Sequence, residues 1–143
     1  MERIQPESVF DPQSYAQAIR VDRTLYVSGQ VALARDGSVV GAGDVEAQAT
    51  FIWEQIGAIL EEAGGRYSDI VKVTTYVLDM AARAAVMAAR ARYLGDHRAA
   101  STLIGVAALA RPEFLIEIEV VAVLPERSAR GSSSVTSLPG DFI

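Results

Sequence analysis

Two carboxylates stand where a folded chain rarely leaves them bare. In the run Phe114-Leu115-Ile116-Glu117-Ile118-Glu119-Val120-Val121-Ala122-Val123, eight residues are apolar and the other two are Glu117 and Glu119. The β-branched composition makes the run a strand, and strand side chains alternate between faces. Glu117 and Glu119 therefore share one face, while Phe114, Ile116, Ile118 and Val120 share the other. An ionised carboxylate in such company must be wet, paired or part of a site. Two carboxylates in one cleft repel, which raises one pKa toward a range useful for taking a proton from water. Glu117 is the candidate for that work, and Glu119 reads as an interface or solvated carboxylate.

Other chemistries lack their parts. There is no cysteine, so disulfides, thiolate metal sites and cysteine nucleophiles are excluded together. The one histidine, His97, cannot build a histidine metal cluster and reads as a surface or capping group; no metal is expected. No histidine–aspartate pair is placed to activate Ser28, which argues against a serine hydrolase. A net charge of -5, with Lys72 the sole lysine, argues against nucleic acid as a partner. The first residues lack the apolar core of a signal peptide, and no apolar run approaches the ~18 residues a membrane helix needs. A soluble, cytoplasmic protein without a membrane partner is the expectation.

The elements that would hold the strand follow from periodicity. Residues 17–21 and 24–28 read as two strands around Asp22-Arg23. Asp44 looks like an N-cap, and behind it Ala49, Ile52, Ile56, Ile59 and Ala63 recur at helical spacing until Gly64-Gly65. Residues 70–78 read as a strand, 81–94 as an alanine- and arginine-rich helix stopped by Gly95, and 102–106 as a short strand. The arginines at 83, 90 and 92 read as a solvated helix face. Gly105 allows close approach of a ligand or backbone, or marks a bulge. The order ββ-α-β-α-ββ implies an α+β domain with both helices on one face of a mixed β-sheet. Residues 1–125 form the single expected domain, and 126–143, small and polar, a flexible tail. The face carrying Glu117, Glu119, Val121 and Val123 has no cover within the chain, so a ring of subunits with clefts at the joints is the simplest assembly.

Three motifs then bear a resemblance. Ser14-Tyr15-Ala16-Gln17-Ala18-Ile19 with Tyr26-Val27-Ser28-Gly29-Gln30-Val31 resembles the paired N-terminal motifs of the Rid/YjgF family. Residues 60–65 with 69–76 resemble its helix-to-strand junction, and residues 106–109 with 116–119 its C-terminal signature. The resemblance implies a chorismate-mutase-like homotrimer with small-molecule clefts between subunits. In the deaminase branch, RidA, these clefts hydrolyse enamines and imines such as 2-aminoacrylate to a 2-keto acid and ammonia, without metal or cofactor. Carried over, the cleft tyrosine is Tyr15, the serine Ser28 and the glutamate Glu117.

The arginine that clamps the substrate carboxylate in that branch does not carry over: counting back from Gly105 puts Ser101 in its place, and Met87 replaces an asparagine of the second helix. A bidentate arginine–carboxylate contact is worth about 1.5–3 kcal/mol, and a serine hydroxyl cannot supply a fixed positive fork. Arg98 and Arg111 are the two neighbours that could compensate. The leading reading is a family member that binds a small carbonyl, enamine or organic acid, without standard 2-aminoacrylate deaminase activity. The alternatives are a deaminase with altered substrate choice, in which Glu117 drives hydrolysis, and a regulatory or scaffold trimer.

Overall fold

A computed structural model describes residues 1–127, so the tail expected over 126–143 lies, from residue 128 onward, outside the described residues. Six strands, β1 (Glu2–Ile4), β2 (Ala18–Val21), β3 (Thr24–Gln30), β4 (Ile70–Val77), β5 (Ala100–Gly105) and β6 (Ile116–Val123), form one sheet in the order β1-β2-β3-β6-β4-β5. All pairings are antiparallel except β4 with β5, which makes the sheet mixed. Two helices, α1 (Val45–Glu62) and α2 (Arg83–Leu94), complete the α+β architecture.

Helix α1 forms where its pattern demands. The Asp44 carboxylate accepts from Ala47 N, satisfying one of the free first-turn donors. Ala49, Ile52, Ile56, Ile59 and Ala63 are all buried, joined by Trp53 and Leu60. Their partners are the inward residues of the sheet, among them Leu25, Val27, Val73, Val77, Ile116, Ile118, Val120 and Ala122. Burying each large aliphatic side chain contributes about 1.5–3 kcal/mol, so the one-sided pattern decides which face of the sheet carries the helices. The helix stops just before Gly64, whose φ of +87° is the left-handed region glycine enters freely. The second helix starts later than the alanine run suggests, because Asp79 caps a short 3-10 turn over Met80–Ala82 before Arg83.

Strand β1 has no counterpart among the expected elements. Three residues at a sheet edge, only one of them buried, carry too little periodicity to be read. Strand β5 begins at Ala100 and ends at Gly105, and no bulge interrupts its pairing with β4. Among the described residues no helix is long and apolar enough to cross a membrane.

The opposite sheet face is open. Across it run Ile19, Tyr26 and Val121 in one register row, with Val21, Thr24 and Val123 beside them. Toward the other end lie Glu119 opposite Thr74, and Glu117 opposite Tyr76. The face is thus largely apolar at one end, where Lys72 pairs with Val121, and acidic at the other, as the alternation within β6 requires.

Candidate functional site

Glu117 is placed by a defect in the ladder. Pairing of β3 with β6 runs in register to Val27–Val120 and resumes at Gln30–Ile118, so Ser28 and Gly29 together oppose Glu119. This two-against-one bulge bends β3 and lets the Glu117 side chain lie against the Gly29 backbone. A Cβ at residue 29 would lie 2.7 Å from Glu117 Cδ and collide with its carboxylate oxygen, so glycine is what makes the seat. Glu117 is half-buried, and no side-chain hydrogen bond to it is formed among the described residues. Burial first, and then the charge of Glu119, push its pKa above the usual carboxylate value. Glu119 is engaged differently: the Tyr76 hydroxyl donates to its Oε1 at 2.6 Å, which in turn raises the tyrosine pKa.

The N-terminal motif comes to the same end of the sheet. Tyr15 is exposed and lines a small pocket with Phe10, Gln17, Gly29, Gln30 and Gln55. The pocket wall is a chain of buried amides: Gln55 Nε2 donates to Gln30 Oε1 at 2.7 Å, Gln30 Nε2 to Gln17 Oε1 at 2.7 Å, and Gln17 Nε2 to the Phe10 carbonyl at 2.8 Å. Ser28 works as a clasp, its hydroxyl donating to the Ala16 carbonyl at 2.7 Å and tying the Tyr15 segment to β3.

Ser101 lies on the other side of the sheet. It pairs with Val73, a buried residue of the helix-covered face, whereas Glu117 pairs with Tyr76 on the open face. One chain therefore cannot bring Ser101 and Glu117 into one cleft. The Ser101 hydroxyl accepts from Arg90 Nη1 at 2.7 Å, so Arg90 is no part of a freely solvated helix face. Burial holds the Arg90 pKa below the ordinary arginine value, as expected of a cation that has lost part of its water. Its neighbour Arg92 is the solvated one, pairing with Glu46 at 3.3 Å.

Residues 8–124 match the family model described as Endoribonuclease L-PSP. The chain is 35% identical over 122 residues to the 3-aminoacrylate deaminase RutC of Acinetobacter baylyi, covering 85% of this chain and 96% of that one. It is 36% identical over 109 residues to the 2-iminobutanoate/2-iminopropanoate deaminase of Mus musculus, covering 76% and 80%. The crystal structure of the YjgF gene product from E. coli superposes with a TM-score of 0.78 at 31% identity, covering 86% of this chain and 98% of the other. The chain belongs to the Rid/YjgF family.

Set in the Rid/YjgF fold, the residues expected to form the site fall into two groups. Glu117 lies against the Ser28-Gly29 bulge on the open face, and Tyr15 meets Gly29 in the small pocket that Gln55 of α1 also lines. Ser101 and Gly105 lie along the helix-side face of edge strand β5, where a Cβ at Gly105 would meet only Met80 Cε, at 3.6 Å. Neither arginine named as a replacement reaches Ser101. Arg98 is exposed and forms no hydrogen bond among the described residues, and Arg111 stacks over the Phe114 ring, 5.6 Å from its centroid. His97 pins the exit of α2, its Nε2–H donating to the Ile70 carbonyl at 2.7 Å. Three residues of this arrangement are not legible as such in the sequence. Gly29 was hidden because its role depends on a bulge, and Arg90 because alanine and arginine alternate around α2 without a clear face. Tyr76 had a signal: two-residue spacing from Thr74 and Lys72 on a strand beside Glu119.

Proposed function

We propose that this chain is a homotrimeric Rid/YjgF-family hydrolase of small enamines or imines, with Glu117 handling the water and the site shared between neighbouring chains. The observation that carries it is the Glu117 carboxylate, half-buried on Gly29 and lifted in pKa by burial and Glu119. Hydrolysis of an imine needs a base that takes a proton from water as oxygen bonds to carbon and passes it to nitrogen, then moves the new hydroxyl's proton to nitrogen as the C–N bond breaks and the carbonyl forms. One carboxyl group with a raised pKa does both in turn, releasing ammonia and a carbonyl compound. An enamine joins the same path by first taking a proton at carbon. The mouse and Acinetobacter relatives are named for activities of this type, which supports the reading.

The shared site follows from the two faces. Glu117 addresses the open side, Ser101 and Gly105 the helix side of the edge strand, and a closed ring lets one chain's open face meet the next chain's edge. The nuclease description of the family model fits poorly with this chain, because the open face carries two carboxylates and the whole chain a charge of -5.

A second reading, ligand binding without turnover, is favoured by Ser101, which the resemblance sets where the deaminase branch carries its carboxylate-clamping arginine. The experiment that decides is ammonia release from freshly generated 2-aminoacrylate. The expected result is acceleration by the unaltered protein and loss of at least a hundredfold in Glu117→Gln. Binding of the keto-acid product with no acceleration by the unaltered protein would establish the second reading instead.

A further inference from the structure

Resting on the proposed site, we propose that Arg90, reaching from helix α2 and held by the Ser101 hydroxyl, is the carboxylate-recognising residue of this protein and selects small 2-imino or 2-oxo acids with short apolar side chains. The Ser101 hydroxyl on β5 holds the guanidinium that α2 supplies. The geometry is specific. Arg90 Nη1 donates to Ser101 Oγ at 2.7 Å, and among the described residues no carboxylate lies within 4 Å of its guanidinium. A half-desolvated guanidinium satisfied by one neutral hydroxyl keeps most of its five N–H donors for an incoming anion. A carboxylate bound in parallel to two of those donors gives both affinity and a fixed orientation.

The surroundings define the rest of the ligand. Beyond Ser101, the same face of β5 presents Leu103 and then Gly105. Met87 stands three residues before Arg90 and so shares its side of α2, and Met80 approaches Gly105. Both methionines are exposed, at 37% for Met87 and 45% for Met80. A cation beside exposed, adaptable thioethers suits an acid with a chain of a few carbons, since Leu103 lies about 6.5 Å along the strand from Ser101.

The test uses the full chain titrated with 2-oxobutanoate and, as a neutral counterpart, 2-butanone. The unaltered protein is expected to prefer the acid by about ten- to a hundredfold. Arg90→Ala should erase that preference with the unfolding midpoint nearly unchanged, and Arg90→Lys, which keeps the charge without the fork, should retain part of it. Adding Ser101→Arg to Arg90→Ala should bring the preference back, a rescue that a merely structural arginine would not permit. Arg90→Ala with the acid preference intact would overturn the assignment while leaving Glu117-dependent ammonia release standing. An unaltered protein that neither binds 2-oxobutanoate nor releases ammonia would bring down the proposed site and this anchor together.

Discussion

Glu117 is costly to the fold in its ionised form, and that cost gives a stability signature. In the unfolded chain it titrates near its ordinary value of 4.5, while in the folded chain burial and Glu119 raise the pKa. The folded state therefore holds the proton more tightly than the unfolded state, so this residue's contribution is fully present below pH 4.5 and is lost as pH rises through the raised folded value. Glu117→Gln removes that dependence. Urea unfolding of both proteins between pH 4 and pH 8 should show the variant gaining on the unaltered chain as pH rises, with the gap smallest at the acid end. A gap that widened toward acid would mean the carboxylate is stabilised as an anion in the fold. At this scale Glu117 was legible, because a charge among apolar strand residues has few explanations. Its seat was not legible, since Gly29 is one glycine among 11 and only the bulge gives it meaning.

At the scale of the element, the bulge is the device that turns an ordinary strand pair into a carboxylate site. Gly29→Ala tests it directly. The atom that a new Cβ would strike is the end of a flexible side chain, not backbone, so the carboxylate yields before the sheet does. Overpacking of this kind costs about 1–3 kcal/mol, and here the loss of Gly backbone entropy in the unfolded state offsets part of it. The expected outcome is a folded protein with ammonia release down by at least tenfold, because positioning suffers more than stability. Equal loss of activity and cooperative unfolding would show the bulge to be purely structural. Most elements were written plainly in the chain: the Asp44 cap, the one-sided run through Ile52, Ile56 and Ile59, and the alternation of β6 each leave one reading. The failures share a cause. β1 is too short for a period to show, and in α2 arginine falls on several sides of an alanine-rich helix, so only packing against β5 singles out Arg90 from Arg83 and Arg92.

For the whole molecule, the decisive fact is that the two groups of residues proposed for the site lie on opposite faces of one sheet. Glu117 belongs to the open face, where Tyr26, 53% exposed, Val21, Val121 and Val123 offer an apolar surface for a neighbour. Arg90 and Ser101 belong to the edge beyond it. If neighbouring chains complete each site, then two variants that are each inactive can repair one another. Glu117→Gln and Arg90→Ala, refolded separately, should each release little ammonia. Refolded together in equal amounts, they form mixed rings in which some joints pair an intact Glu117 from one chain with an intact Arg90 from the next. Random assembly of a directional ring makes one joint in four intact, so about a quarter of the unaltered activity should return. A site contained within a single chain recovers nothing on mixing, because every chain then carries one defect in its own cleft. Recovery near one quarter would thus establish in one measurement that the site is shared and that these two residues lie on its opposite walls.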